Sequence, residues 1–183
     1  MKRLLLILLV AAFSIPTFQS CKKGANDPAI SFKSRDARLT ATWKLTKIAS
    51  TSTYYSGSNQ IIRTLAYDGT TITETVTGYP TTTASGTYEM TIEKNGVMSW
   101  QETYASSGGS VDVQTSTGRW EWLNTDKNKT VVLLDGGYNI FEGGICVIDR
   151  LATKELVIRD EGNSNDNGDL ETWDITYTFE NTK

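Results

Sequence analysis

Apolar and polar residues alternate one by one along most of this chain, in short runs divided by turn-forming residues. Thr71, Thr73, Thr75 and Thr77 interleave with Ile72, Glu74 and Val76, and Thr87, Glu89, Thr91 and Glu93 interleave with Tyr88, Met90 and Ile92. A period of two places alternate side chains on opposite faces of an extended strand, one packed and one wet. The same alternation groups Met98, Trp100, Glu102 and Tyr104, and sets Trp173, Ile175, Tyr177 and Phe179 against Thr172, Asp174, Thr176 and Thr178. From Trp43 onward no helical repeat of apolar residues competes with this pattern, while Thr, Tyr, Trp, Val and Ile, which suit a pleated surface, are plentiful.

Asp68-Gly69 and Asn95-Gly96 predict tight hairpins, because both pairs tolerate positive φ. Further breaks at 106–110, 124–129, 135–137 and 161–169 leave strands near 40–49, 60–67, 70–77, 86–94, 97–105, 110–123, 129–135, 144–151, 154–160 and 170–180. A meander of this kind predicts an all-β fold, an antiparallel up-and-down β-barrel of about 8–10 strands whose closure removes exposed edges. A two-sheet β-sandwich fits nearly the same pattern and stands as the alternative. If the sheet closes, Trp43, Tyr88, Met90, Met98, Trp100, Trp173 and Ile175 point inward together.

The first residues break the pattern. Met1-Lys2-Arg3 precede an apolar run from Leu4 to Phe13, then Ser14 to Ser20 lead into Cys21. A charged start and an apolar run too short to span a bilayer permanently make an export signal. The expected division is a signal at 1–20, a tether at 21–38 ending in a short helical turn near Ser34 to Leu39, and one domain at 39–183. Removing twenty of the 183 residues leaves 163, and loss of Lys2 and Arg3 moves the formal charge from −3 to −5. No basic patch remains to attract nucleic acid. Cys21 and Cys146 are the two cysteines, too few for a disulfide scaffold, and Cys146 between Ile145 and Val147 reads as a small apolar side chain.

Candidate chemistry is sparse. The chain has no histidine, so a Ser-His-Asp or Cys-His pair cannot be built. Gly108-Gly109, Gly136-Gly137 and Gly143-Gly144 lie between strands with no following helix to hold a phosphate. Glu74 and Glu102 fall on otherwise apolar faces and form the one carboxylate pair suited to glycosidase-type work, but pairing with Arg63 or Arg119, or anchoring a ligand, explains them better. Residues Asn163 to Asp174 partly match a calcium loop; a turn-rich hairpin loop accounts for the same Asn, Asp and Gly residues. Trp120 and Trp122 share one strand face as pocket-wall candidates, and Tyr54 and Tyr55 fall in a polar stretch, Ser50 to Asn59, expected to lie as a loop at the barrel mouth and suited to act as a lid.

Two resemblances add to this reading. Phe18-Gln19-Ser20-Cys21 resembles a bacterial lipoprotein signal of the looser kind frequent in Bacteroidetes-type bacteria, which implies lipid attachment, as with palmitate, at Cys21. Lys22 to Asp27 lacks the acidic cluster that resembles surface-export signals in that group, so the expected location is the outer membrane, facing the periplasm. Leu39-Thr40-Ala41-Thr42-Trp43-Lys44-Leu45 looks like the opening of lipocalin-like domains, and Gly118-Arg119-Trp120-Glu121-Trp122, Ile145 to Leu151 and Glu155 to Ile158 resemble the second half of lipocalin-like lipoproteins. The resemblance implies a barrel with an apolar cup. The resulting expectation is a non-enzymatic, lipid-anchored envelope protein, without cofactor or metal, that binds a small hydrophobic ligand. Its expected ligand-binding residues are Trp43, Glu74, Tyr88, Met90, Trp100, Glu102, Arg119 and Trp173, with Glu74, Glu102 or Arg119 orienting a polar end. The opposing expectation is a sandwich module binding glycans or a partner protein.

Overall fold

A computed structural model describes residues 26–28, 33–57, 59–105, 111–124, 129–136, 141, 144–166 and 169–183. The signal and Cys21 lie outside the described residues. A short helix, α1 (Arg35–Leu39), precedes β1 (Thr42–Ser56), β2 (Asn59–Tyr67), β3 (Thr71–Val76), β4 (Thr82–Ile92) and β5 (Val97–Ala105). Then come β6 (Val111–Trp122), β7 (Val131–Gly136), β8 (Ile145–Leu151), β9 (Glu155–Asp166) and β10 (Asp169–Asn181). Each strand pairs antiparallel with the next, and β10 returns to β1, closing a ten-strand barrel in meander order. Closure into one continuous sheet excludes the sandwich.

The turns at Asp68 and Asn95 form as expected, each stapled by its own side chain. Asp68 Oδ1 accepts from the amides of Thr70 at 3.0 Å and Thr71 at 2.8 Å, and Asn95 Oδ1 from that of Val97 at 3.0 Å. The β2–β3 hairpin covers only the upper part of the wall. Below its turn β1 pairs directly with β4, Trp43 opposite Met90.

Two expected loops are strands instead. β1 runs on to Ser56 because Thr51 to Tyr55 are paired on both sides, with Leu170 to Asp174 of β10 and with Gln60 to Thr64 of β2. Likewise β9 and β10 stay paired up to Asp166 and Asp169, through the stretch expected to turn at 161–169. Ladder hydrogen bonds, to β2 and β10 for β1 and to β10 alone for this part of β9, outweigh the turn tendency of Ser, Asn and Asp. The lid is thereby overturned, and over its described part the calcium match is no loop either: Asn163 and Asn165 lie in the extended β9 ladder and Asp174 in β10, whereas a calcium loop must wrap around its ion; Asn167 and Gly168 lie outside the described residues.

Register shifts in β1 between Leu45 and Lys47, and in β8 between Ile148 and Arg150, each insert one residue. A strict period of two would turn Lys47 inward; the shift lets Leu45 and Ile48, three apart, both be buried. Ile148 and Leu151 do the same across β8. Trp43, Tyr88, Met90, Met98, Trp100 and Ile175 are all buried as the alternation predicts, and Trp173 packs against them half-buried. Rings form a connected series through the interior: Tyr67, Tyr88, Trp100, Phe141, Tyr177 and Phe179, with successive centroids 4.9–6.5 Å apart. Cys146 sits in this core, where burial pushes its thiol pKa up and keeps it protonated.

One end of the barrel is sealed. Ser34 caps α1 by accepting from the Ala37 amide at 3.1 Å, and Trp43 Nε1 donates to the Leu39 carbonyl at 2.8 Å. Asp27 reaches the same end, where its carboxylate accepts from the Leu151 amide at 2.7 Å and pairs with Arg35 and Arg38. The expected helical turn is therefore present, but the stretch read as a tether contributes Asp27, Arg35 and Arg38 to the barrel floor. Trp122 belongs to this floor too: its Nε1 donates to Asp36 at 2.6 Å, and Arg35 and Lys129 each stand 5.9 Å from its ring. Trp120 is buried beside it, donating to the Glu93 carbonyl at 2.6 Å. Both tryptophans face inward, yet they build the closed end and not a pocket wall.

Candidate functional site

Above that floor the barrel is not filled. A cavity of about 220 Å³ lies between the walls of β1 to β5 and β10. Parity and register decide its lining. Arg63, Leu65 and Tyr67 of β2 stand opposite Val76, Glu74 and Ile72 of β3, so one face of this hairpin carries apolar residues low down and charged ones near the mouth. Leu45, Ile48, Leu65, Ile72 and Ile175 make the apolar wall, and Tyr88, Trp173 and Tyr177 add rings. Ser50, Ser52, Arg63, Glu102 and Glu171 form the polar part. The cavity meets solvent at Arg63, whose side chain is 48% exposed. The opposite side of the interior is occupied by Trp100 and Phe141, the latter from the β7–β8 connection, which is why the space is confined to one side.

Of the eight residues expected to bind a ligand, Tyr88, Glu102 and Trp173 line this cavity. Glu74 stands just outside it, where its carboxylate holds Arg63 (Nε to Oε1, 2.5 Å) in place at the rim. Trp100 is behind Tyr88, ring centroids 5.9 Å apart. Trp43 and Met90 face inward but lie fully buried at the floor, below the open space. Arg119 is on the outside, 69% exposed and paired with Asp135 at 3.0 Å, so it cannot orient anything in the cup. The reason is parity: with Trp120 and Trp122 inward, Arg119 between them must point out. Of the lining residues not singled out from sequence, Glu171 carried the period-two signal, being two residues before Trp173, whereas Ser50 and Ser52 lie in a polar stretch beyond the β1 register shift and carried none.

Two details set the chemistry of the site. Tyr88 stands opposite Glu102 across the β4–β5 ladder; burial first, then that nearby carboxylate, raises the pKa of the phenol far above its ordinary value, so it stays neutral. Tyr67, below it, is pushed up to about 12, chiefly by burial, and donates to the Gly86 carbonyl at 3.0 Å. Trp173 is fixed from behind: its Nε1 donates to the fully buried Asp160 at 2.9 Å, and its ring lies over Gly162, where any Cβ would fall 2.4 Å from the ring atom Cζ2. Glu74 is engaged by Arg63, and Glu102 stands beside the neutral Tyr88. Among the described residues no cluster of acidic or thiol groups is arranged to hold a metal ion.

Compared with protein-family models, with curated proteins and with solved structures, the chain matches none. The barrel itself, closed, antiparallel and in meander order, is consistent with a lipocalin-like fold.

Proposed function

We propose that this chain is a lipid-anchored envelope protein whose lipocalin-like barrel binds a small, mainly apolar molecule. The observation that carries the reading is the cavity, apolar at depth, polar at the rim and closed below by α1 and Asp27. Its 220 Å³ suits a single ring with a short polar arm. Burying one ring of ~150 Å² at ~25 cal/mol per Å² is worth about 4 kcal/mol, a Kd near 1 mM before any polar contact is added. No step of the reading calls for catalysis.

The expected result is that 2-phenylethanol quenches tryptophan fluorescence through Trp173, and that Ile72→Phe weakens this binding at least about tenfold. The new ring grows into empty space, so the unfolding midpoint should move by no more than about 3 °C. Undiminished binding by the variant would place the ligand elsewhere and overturn the reading.

Anchoring at Cys21 is the second half of the proposal. Only five residues separate Cys21 from Asp27, which spans at most ~22 Å of extended chain, so a lipid at Cys21 would hold the sealed end toward the bilayer and the mouth away from it. Cys21→Ala should shift the protein from the detergent phase to the aqueous phase on phase partitioning, or stall its processing. Failure of the wild-type chain to incorporate labelled fatty acid would remove the anchor. We assign it to the periplasmic face of the outer membrane; digestion by protease added to intact cells would move it to the surface.

A further inference from the structure

We propose that the molecule taken up by this cavity is a cation, a small amine with an apolar ring or chain, and not a carboxylate. The inference rests on the cavity being the binding site and names the class of ligand.

Three charged side chains line the space: Arg63, Glu102 and Glu171. Arg63 is already matched, its Nε 2.5 Å from Glu74. Among the described residues no ion pair engages either glutamate, and the residue facing Glu102 across the ladder is Tyr88, a neutral phenol. Glu102 on β5 and Glu171 on β10 stand at the two ends of the lining arc, on opposite sides of the opening. A ligand entering between them meets two half-buried carboxylates with no net positive charge to offset them.

In such a place the sign of the ligand's polar end decides the outcome. A carboxylate would add a third negative charge where water is partly excluded and like charges repel more strongly. An ammonium group would instead donate hydrogen bonds to one of these carboxylates and be attracted by the other. Trp173 and Tyr88 put aromatic faces beside the same carboxylates, and a cation is attracted to such faces while an anion is not. The apolar depth made by Leu65, Ile72 and Ile175 accepts the remainder of the molecule and leaves the charged end at the rim, where Arg63, turned toward Glu74, does not oppose it.

The test compares three probes of one size, phenethylamine, 2-phenylethanol and 3-phenylpropanoate, titrated at pH 7 and low salt into the full chain held in nanodiscs of neutral lipid. The amine should bind about tenfold tighter than the carboxylate, with the alcohol between them. Glu102→Gln and Glu171→Gln should each shrink the amine-to-carboxylate ratio severalfold, the ratio within each variant being the readout. About 0.5 M NaCl should shrink that ratio in the wild type as well. A carboxylate that binds as tightly as the amine overturns the charge assignment while alcohol binding keeps the cavity reading. If none of the three binds, the cavity reading falls with it.

Discussion

Replacing Asp27 with alanine should lower the unfolding midpoint of the barrel by roughly 6–20 °C, an outsized effect for a residue fifteen positions ahead of the first strand. The reason lies in what its carboxylate neutralises. Arg35 and Arg38 have side chains only 3% and 2% exposed, and that of Asp27 is fully buried. Burial already lowers the pKa of Arg35, with Asp27 acting to raise it, so the ion pair is what makes a charged guanidinium tolerable there. Among the described residues Arg35 Nε and Nη2 and Arg38 Nε find no hydrogen-bond partner, which leaves little there to replace the lost acceptor. Removing one partner of a buried pair costs about 3–5 kcal/mol, each worth roughly 2–4 °C for a chain of this size. The Leu151 amide would also lose its acceptor at 2.7 Å.

The same physics supplies the control. Replacing all three charges together, as Asp27→Leu with Arg35→Met and Arg38→Met, should recover most of the loss, because a well-packed apolar cluster needs no desolvated ions. Calorimetric midpoints for the single and triple variants decide the matter. A shift below about 2 °C for Asp27→Ala would mean that water reaches the guanidinium groups and that the floor is looser than its geometry.

Such a floor could not be read from the sequence, whereas the walls could. Alternation in Thr71 to Thr77, in Thr87 to Glu93 and in Trp173 to Phe179 specifies which side chains face inward, and those faces are the ones the barrel buries. It does not specify height along the barrel axis, which depends on register between strands. Trp43 and Met90 therefore have the expected face but end at the floor, while Glu171, on the same face as Trp173, ends at the cavity. Residue type misleads where pairing decides: Ser50 to Ser56 and Asn163 to Asp166 have loop compositions and lie in strands, the first paired with β2 and β10 and the second with β10. Arg119 is a different case, since the parity that turns Trp120 and Trp122 inward already turns it out. Phe141 had no periodic signal at all, being an interior ring supplied by a connection between strands.

Gly162→Ala should be the most damaging small change near the cavity, destabilising the chain by about 3–5 kcal/mol and abolishing binding of 2-phenylethanol. Gly162 is directly opposite Trp173 in the β9–β10 ladder, both facing inward. A Cβ built on it falls 2.4 Å from Cζ2 and 2.9 Å from Cε2 of the indole, distances that no adjustment of a methyl group can absorb. The ring must swing away, and the space available to it is the cavity it lines. That swing breaks the 2.9 Å bond from Nε1 to Asp160 and takes a donor from a carboxylate with no exposure to solvent. Overpacking contributes about 1–3 kcal/mol and the lost bond to a charged acceptor about 1.5–3. A mutant cycle identifies the cause. If the indole is the obstacle, Gly162→Ala will cost much less in a Trp173→Leu background than in the wild type, a coupling of about 1–3 kcal/mol. Additive costs would show instead that the methyl group strains the strand backbone, and the link between Gly162, the set of the Trp173 ring and the shape of the binding site would be lost.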